Sequence, residues 1–141
     1  MKRILIVNAD YYKKVSFSLV AAAKKILIKS KIQCNIINVP GVFEIPITIR
    51  KFVKKYDGFI ALGCVIKGET PHFDLICRSS FDAIMKLAVD FNKPIGNGII
   101  TALNMNQAKK RSSSNYKLKS NKGIESATAV ISVLKNEPKK T

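Results

Sequence analysis

Two short segments hold most of the chemistry this chain can offer: Val39-Pro40-Gly41-Val42-Phe43-Glu44 and Lys67-Gly68-Glu69-Thr70-Pro71-His72, each beginning where an apolar run stops. In parallel α/β proteins ligands bind beyond the carboxyl ends of the strands, so polar and aromatic residues gathered where strands give way to helices mark a candidate site. In the first segment the free N–H groups of Val42 and Phe43 at a helix start can hold carbonyl oxygens of a ligand. Glu44 would accept from hydroxyls or N–H donors, although a carboxylate there is more often simply a partner of the helix macrodipole. In the second segment Gly68 permits close backbone approach, and Thr70 offers a hydroxyl and an N–H near another helix start. That stretch could cradle a phosphate, but the Gly-x-x-x-x-Gly-Lys-Ser/Thr spacing of a P-loop is absent.

His72 is the only histidine in the chain. A lone histidine is usually a surface or capping residue, and only its position between the other candidates raises it to a proton-transfer group. Tyr11 and Tyr12 follow the first apolar run, where a tyrosine can stack on a planar heterocycle or equally well serve as ordinary packing. Asn97 adds an amide able to donate and accept toward a base-like ring. No nucleophilic triad can be assembled, and metal ligation is equally poor, because Cys34, Cys64 and Cys77 form no Cys-x-x-Cys pair. The residues that remain suit a flat polar heterocycle beside a phosphate subsite, with one proton-transfer group between them.

These residues need a scaffold, and the hydrophobic pattern supplies one. Residues 4–7 form a continuous apolar run, as expected of a strand covered on both faces. From Lys13 to Lys31 the residues Val15, Leu19, Ala22, Ala23 and Ile26 lie on one helical stripe. A second strand is expected over 35–39, a helix over 43–56 with Pro46 in its first turn, and the strongest strand over 58–66. A helix over 71–92, a fourth strand over 95–103, a short helix over 104–111, a polar loop over 112–120 and a helix over 122–137 complete the series. Four alternations of strand and helix predict a single domain over residues 1–141. Its fold class would be a flavodoxin-like three-layer αβα sandwich on a four-stranded parallel sheet.

Composition narrows the class. The 141 residues are 47% hydrophobic, which excludes a disordered chain, and no apolar segment approaches the roughly 20 residues needed to cross a bilayer. A soluble protein of the reducing cytoplasm is expected, with no membrane partner. Lys+Arg outnumber Asp+Glu by 25 to 9, a net charge of +16. The lysines are spread over helix-like segments (Lys24, Lys25, Lys51, Lys54, Lys55, Lys86) and interleave with no aromatic stripe, so nucleic-acid binding is not expected. A basic shell would still draw in anionic substrates.

The order of Val39-Pro40-Gly41-Val42-Phe43-Glu44-Ile45-Pro46, Leu62-Gly63-Cys64-Val65-Ile66-Lys67-Gly68-Glu69-Thr70-Pro71-His72-Phe73, Asn97-Gly98 with Thr101, and Asn121-Lys122-Gly123 with Glu125 resembles the lumazine synthase family over nearly the whole chain. The resemblance implies riboflavin biosynthesis: condensation of 5-amino-6-(D-ribitylamino)uracil with 3,4-dihydroxy-2-butanone 4-phosphate to give 6,7-dimethyl-8-ribityllumazine, phosphate and water. It implies no metal and no organic cofactor. By position it assigns Tyr11 to stacking on the pyrimidine, and Val42, Phe43 and Glu44 to holding the pyrimidine and its ribityl chain. Cys64, Val65, Ile66 and Asn97 would line the ring pocket. Glu69 and Thr70 would contact the butanone phosphate, and His72 would transfer protons. Arg111 and Lys122 would bind or steer phosphate in a neighbouring subunit's site.

Two departures from the family's pattern bear on assembly and chemistry. Asp10 precedes Tyr11 where the family often has a basic residue, and the 111–121 loop looks longer than in shell-forming members. With no N-terminal segment to pair with a neighbour's sheet, a homopentamer is expected rather than an icosahedral shell, and riboflavin synthase is a candidate further partner. A non-catalytic flavin-binding module of the same fold is the alternative reading, and an RNA-associated basic protein a more distant one.

Overall fold

An apolar run such as Ile4-Leu5-Ile6-Val7 can be buried only if both faces of its strand are covered, and the computed structural model covers both. It describes residues 1–115 and 121–141. The elements run β1 (Arg3–Ala9), α1 (Lys13–Lys29), β2 (Gln33–Val39), a single 3₁₀ turn (Val42–Glu44), α2 (Ile45–Phe52), β3 (Gly58–Ile66), α3 (His72–Phe91), β4 (Ile95–Ala102), α4 (Met105–Arg111) and α5 (Lys122–Lys135). All neighbouring strands pair in parallel, in the order β2-β1-β3-β4. Ile4 and Ile6 enter one core with Leu19, Leu27 and Val130, whereas Leu5 and Val7 enter a second with Ile45, Ile49 and Ile84. This is the flavodoxin-like three-layer α/β architecture expected from the sequence, with α1 and α5 on one face and α2 and α3 on the other.

Local chemistry sets the ends of the elements. The first helix stops at Lys29, two positions short of the periodic stripe's expected end, because Lys31 turns into the left-handed region (φ 58°) and Ile32 N–H returns to Leu27 C=O at 3.0 Å. The helix expected over 43–56 divides into the 3₁₀ turn and α2, with Pro46 in the first turn of α2. The last helix begins on an N-cap: Asn121 Oδ1 accepts from Gly123 N–H at 2.8 Å and Ile124 N–H at 3.1 Å. Of the polar loop expected over 112–120, residues 116–120 lie outside the described residues.

On β4, glycine is required by close approach rather than by backbone angle. A Cβ on Gly96 would collide with the Ser126 carbonyl oxygen, and one on Gly98 would lie 2.7 Å from Ser126 Oγ. The α5 backbone therefore rests directly on the strand. Opposite it, α3 is poorly covered: of its 20 residues only Ser80 and Ile84 are buried, and Leu75, Met85 and Val89 stand exposed.

Candidate active site

The parallel register brings the carboxyl ends of the strands to one end of the sheet, with Ala9 opposite Val39 and Ile66 opposite Ala102. Asp10 N–H donates to Val39 C=O at 3.1 Å and Lys67 N–H to Ala102 C=O at 2.9 Å, tying adjacent strand tips together where the chain turns into its loops.

Beyond β1, Tyr11 is 74% exposed and meets Tyr12 edge-to-face, with ring centroids 4.9 Å apart. Burial raises the Tyr12 phenol above its ordinary pKa, with smaller contributions from Cys64 and Tyr11. Beyond β2, the 3₁₀ turn is closed by Glu44 N–H donating to Gly41 C=O at 3.2 Å, which buries Val42 and leaves Phe43 64% exposed. The Glu44 carboxylate folds back over Gly41, its oxygens 3.7 and 3.9 Å from where a glycine Cβ would sit. Beyond β3, Cys64 is buried, and that burial pushes its thiol up to about 11, so it is a neutral wall group at physiological pH. The loop continues to His72, the first residue of α3, whose N–H donates to Thr70 Oγ1 at 3.4 Å.

These segments enclose a cavity of about 620 Å³ lined by Tyr11, Tyr12, Gly41, Val42, Phe43, Glu44, Cys64, Val65, Ile66, His72 and Ile76. Eight of the residues singled out in the sequence thus come together: Tyr11, Val42, Phe43, Glu44, Cys64, Val65, Ile66 and His72. Gly41 and Ile76 join them without having been assigned a site role, and so does Tyr12, which the sequence offers beside Tyr11 as a ring able to stack on a heterocycle. Ile76 was legible in principle, since it lies four residues after His72 and therefore on the same helix face.

The remaining candidates do not line this cavity. Glu69 and Thr70 are exposed in the loop before His72, where a side chain on Gly68 would meet nothing within 4 Å. Asn97 was expected in the ring pocket, but in its own chain it lies opposite Ala61, about 10 Å short of Cys64 along the strand direction. It is exposed on the α3 side of the edge strand, and its Oδ1 accepts from Ile99 N–H at 3.0 Å. Arg111 ends α4 exposed, and Lys122 begins α5 paired with Glu125 at 3.1 Å. Among the described residues, the crevice of a single chain therefore has a carboxylate and an imidazole on its walls but no Lys or Arg. Among the described residues, no group of three or more His, Cys, Asp or Glu gathers as a metal site.

A model of the 6,7-dimethyl-8-ribityllumazine synthase family matches residues 1–137, the whole span that carries the crevice. The chain belongs to this family. Among its relatives, the 6,7-dimethyl-8-ribityllumazine synthase of Bartonella bacilliformis is 42% identical over 137 residues, covering 94% of this chain and 90% of that protein. Those of Bartonella tribocorum and Zymomonas mobilis are 40% and 39% identical, covering 94% of this chain and 89% and 94% of theirs. Membership in the lumazine synthase family makes the protein a transferase of riboflavin biosynthesis and does not favour a non-catalytic flavin-binding module. No helix among the described residues is long and apolar enough to cross a membrane.

Proposed function

We propose that this chain condenses 5-amino-6-(D-ribitylamino)uracil with 3,4-dihydroxy-2-butanone 4-phosphate in the crevice at the strand tips, giving 6,7-dimethyl-8-ribityllumazine, phosphate and water. The observation that carries this reading is the convergence of Tyr11, Val42, Phe43, Glu44, Cys64, Val65, Ile66 and His72 on one cavity. Tyr11 offers its exposed ring to the pyrimidine. The backbone at Val42 and Phe43, with the Glu44 carboxylate, holds ring polar atoms and ribityl hydroxyls. Cys64, Val65 and Ile66 shape the slot, Glu69 and Thr70 contact the phosphorylated ketone, and His72 moves protons. An amine must attack a ketone, form an imine, lose phosphate and close a ring. Orientation can supply up to about 7–11 kcal/mol, against about a hundredfold to ten-thousandfold for one acid–base group, so positioning dominates.

Among the described residues, a single chain brings no Lys or Arg to the crevice for the ketone's phosphate, and it leaves Asn97 exposed. Both features favour sites completed by Arg111, Lys122 and Asn97 of an adjacent copy. Leu75, Met85 and Val89 of α3 stand exposed, and only two residues of this 20-residue helix are buried. This supports a homo-oligomer, with the pentamer preferred for a chain of this pattern. The reducing cytoplasm is its proposed compartment, given three unpaired thiols, and riboflavin synthase its candidate partner. Mixing the protein with both substrates tests the reaction: lumazine absorbance and released phosphate should rise together, and phosphate release without the chromophore would refute it. Sedimentation tests the assembly, since a monomer or a megadalton particle would overturn the pentamer.

A further inference from the structure

A second cavity, also about 620 Å³, adjoins the crevice and shares Tyr11 and Tyr12 with it but no other described residue. Its chemistry is the reverse of its neighbour's. Among the described residues, the crevice has Glu44 and no Lys or Arg, whereas this cavity has Lys13, Lys14 and Lys109 and no carboxylate. Ser18 and Ser113 also line it, whereas the Ser112 hydroxyl is buried and donates to Ala108 C=O at 3.0 Å. Lys13, Lys14 and Val15, all on the lining, are also the first three residues of the 17-residue α1. Their N–H groups have no acceptor within the helix, Tyr12 supplies no side-chain cap, and the first turn contains no acidic residue. Asp10 is the nearby counter-charge, 3.6 Å from Lys13 Nζ, but the lysine side chain is 82% exposed and such pairs hold weakly.

Three lysines, serine residues and a helix start of unmet positive polarity line one hollow that has no carboxylate among its described residues. The chemistry that answers all of them is a doubly charged tetrahedral oxyanion. We infer that this cavity is a second anion site, binding inorganic phosphate or a phosphomonoester beside the catalytic crevice and separated from it by the Tyr11–Tyr12 pair. It is distinct from the Glu69 and Thr70 loop and from Arg111 and Lys122. Its existence as a binding site does not depend on the proposed condensation. Its use does, because that reaction consumes a phosphate ester and releases phosphate next door.

Calorimetric titration of the assembled protein with inorganic phosphate, at ionic strength held constant with chloride, tests the inference. A Lys14→Gln/Lys109→Gln variant should lose one class of phosphate site, its affinity falling at least about tenfold. A control with two lysines removed elsewhere, Lys29→Gln/Lys54→Gln, should titrate like the unaltered protein. Identical isotherms in all three, or an equal loss in the control, would overturn the site. Circular dichroism verifies that the variants fold, and a Lys14→Arg/Lys109→Arg variant should restore binding. Steady-state rates then separate the two sources. A raised KM for the phosphorylated ketone at unchanged kcat assigns the site to substrate capture. Weakened product inhibition by phosphate at unchanged KM assigns it to the released anion. A variant that loses phosphate binding yet retains normal lumazine formation would leave the condensation reading intact.

Discussion

The two faces of the sheet are finished to different degrees. On one, α1 and α5 press Leu19, Leu27 and Val130 into Ile4, Ile6 and Ile60, and α5 lies so close to β4 that Gly96 has room for no side chain. On the other, α2 closes over Val7 and Phe59 with Ile45 and Ile49, but α3 leaves Leu75, Met85 and Val89 in solvent, and Asn97 and Thr101 lie open on the edge strand. Where α1 and α5 meet the sheet the first face is closely packed, although a hollow beside Phe17, Ala22 and Ile124 remains between the two helices. The second has apolar surface to spare. The contrast teaches that one face holds the chain together, while the other carries apolar surface that the proposed homo-oligomer would cover.

Substitutions should separate these roles, and the greatest effect is expected on the closed face. Gly96→Val forces a branched side chain against the Ser126 carbonyl and should cost about 3 kcal/mol or more, read as a lowered urea midpoint. An unchanged midpoint would mean that α5 does not seat as described. On the open face, Met85→Asp/Val89→Asp should leave the fold of each chain intact yet dissociate the proposed homo-oligomer if α3 lies in its interface, since an uncompensated charge buried there costs about 3–5 kcal/mol. Sedimentation at the native value would remove α3 from the interface.

In the crevice, which joins neither class, His72→Ala should slow turnover about a hundredfold while leaving measurable activity and an unchanged midpoint. Complete loss in a folded variant would rank acid–base chemistry above positioning. Arg111→Ala should act mainly on KM for the phosphorylated ketone, by about tenfold, and only if assembly delivers that guanidinium to a neighbour.

A last effect, on stability rather than on rate, concerns pH. The Cys64 thiol titrates near 11 in the folded protein against a usual 9.0, so the unfolded chain gives up this proton first. Its contribution is therefore constant below about pH 9 and declines as pH rises toward 11, by of order 2 kcal/mol. Alkylation by iodoacetamide at pH 8 should spare Cys64 while Cys34 and Cys77, both half-buried, react faster. Equal rates would place the thiol in solvent.

How much of this was legible in the chain can be followed residue by residue. The strand over 58–66 was read to the residue because a continuous apolar run flanked by Asp57-Gly58 and Lys67-Gly68 is a local signal. The crevice was legible for a related reason: Tyr11 and Val42 to Glu44 lie just past strands, Cys64 to Ile66 end β3, His72 opens the next helix, and parallel strands end together. Asn97 could not be placed that way. It sits inside a strand, where the partner register and the sheet edge decide what it faces, and both depend on contacts distant in sequence.

What the sequence determined, then, is everything set within a few residues: the alternation of elements, the polar segments at the strand ends, and the family to which their order belongs. Only the tertiary structure decided that β4 lies at an edge, that α5 rests on its glycines while α3 stands uncovered, and that three lysines from α1 and α4 surround one hollow. Those outcomes depend on strand order and helix seating. Both are fixed by packing between segments far apart in the chain, which no local periodicity encodes.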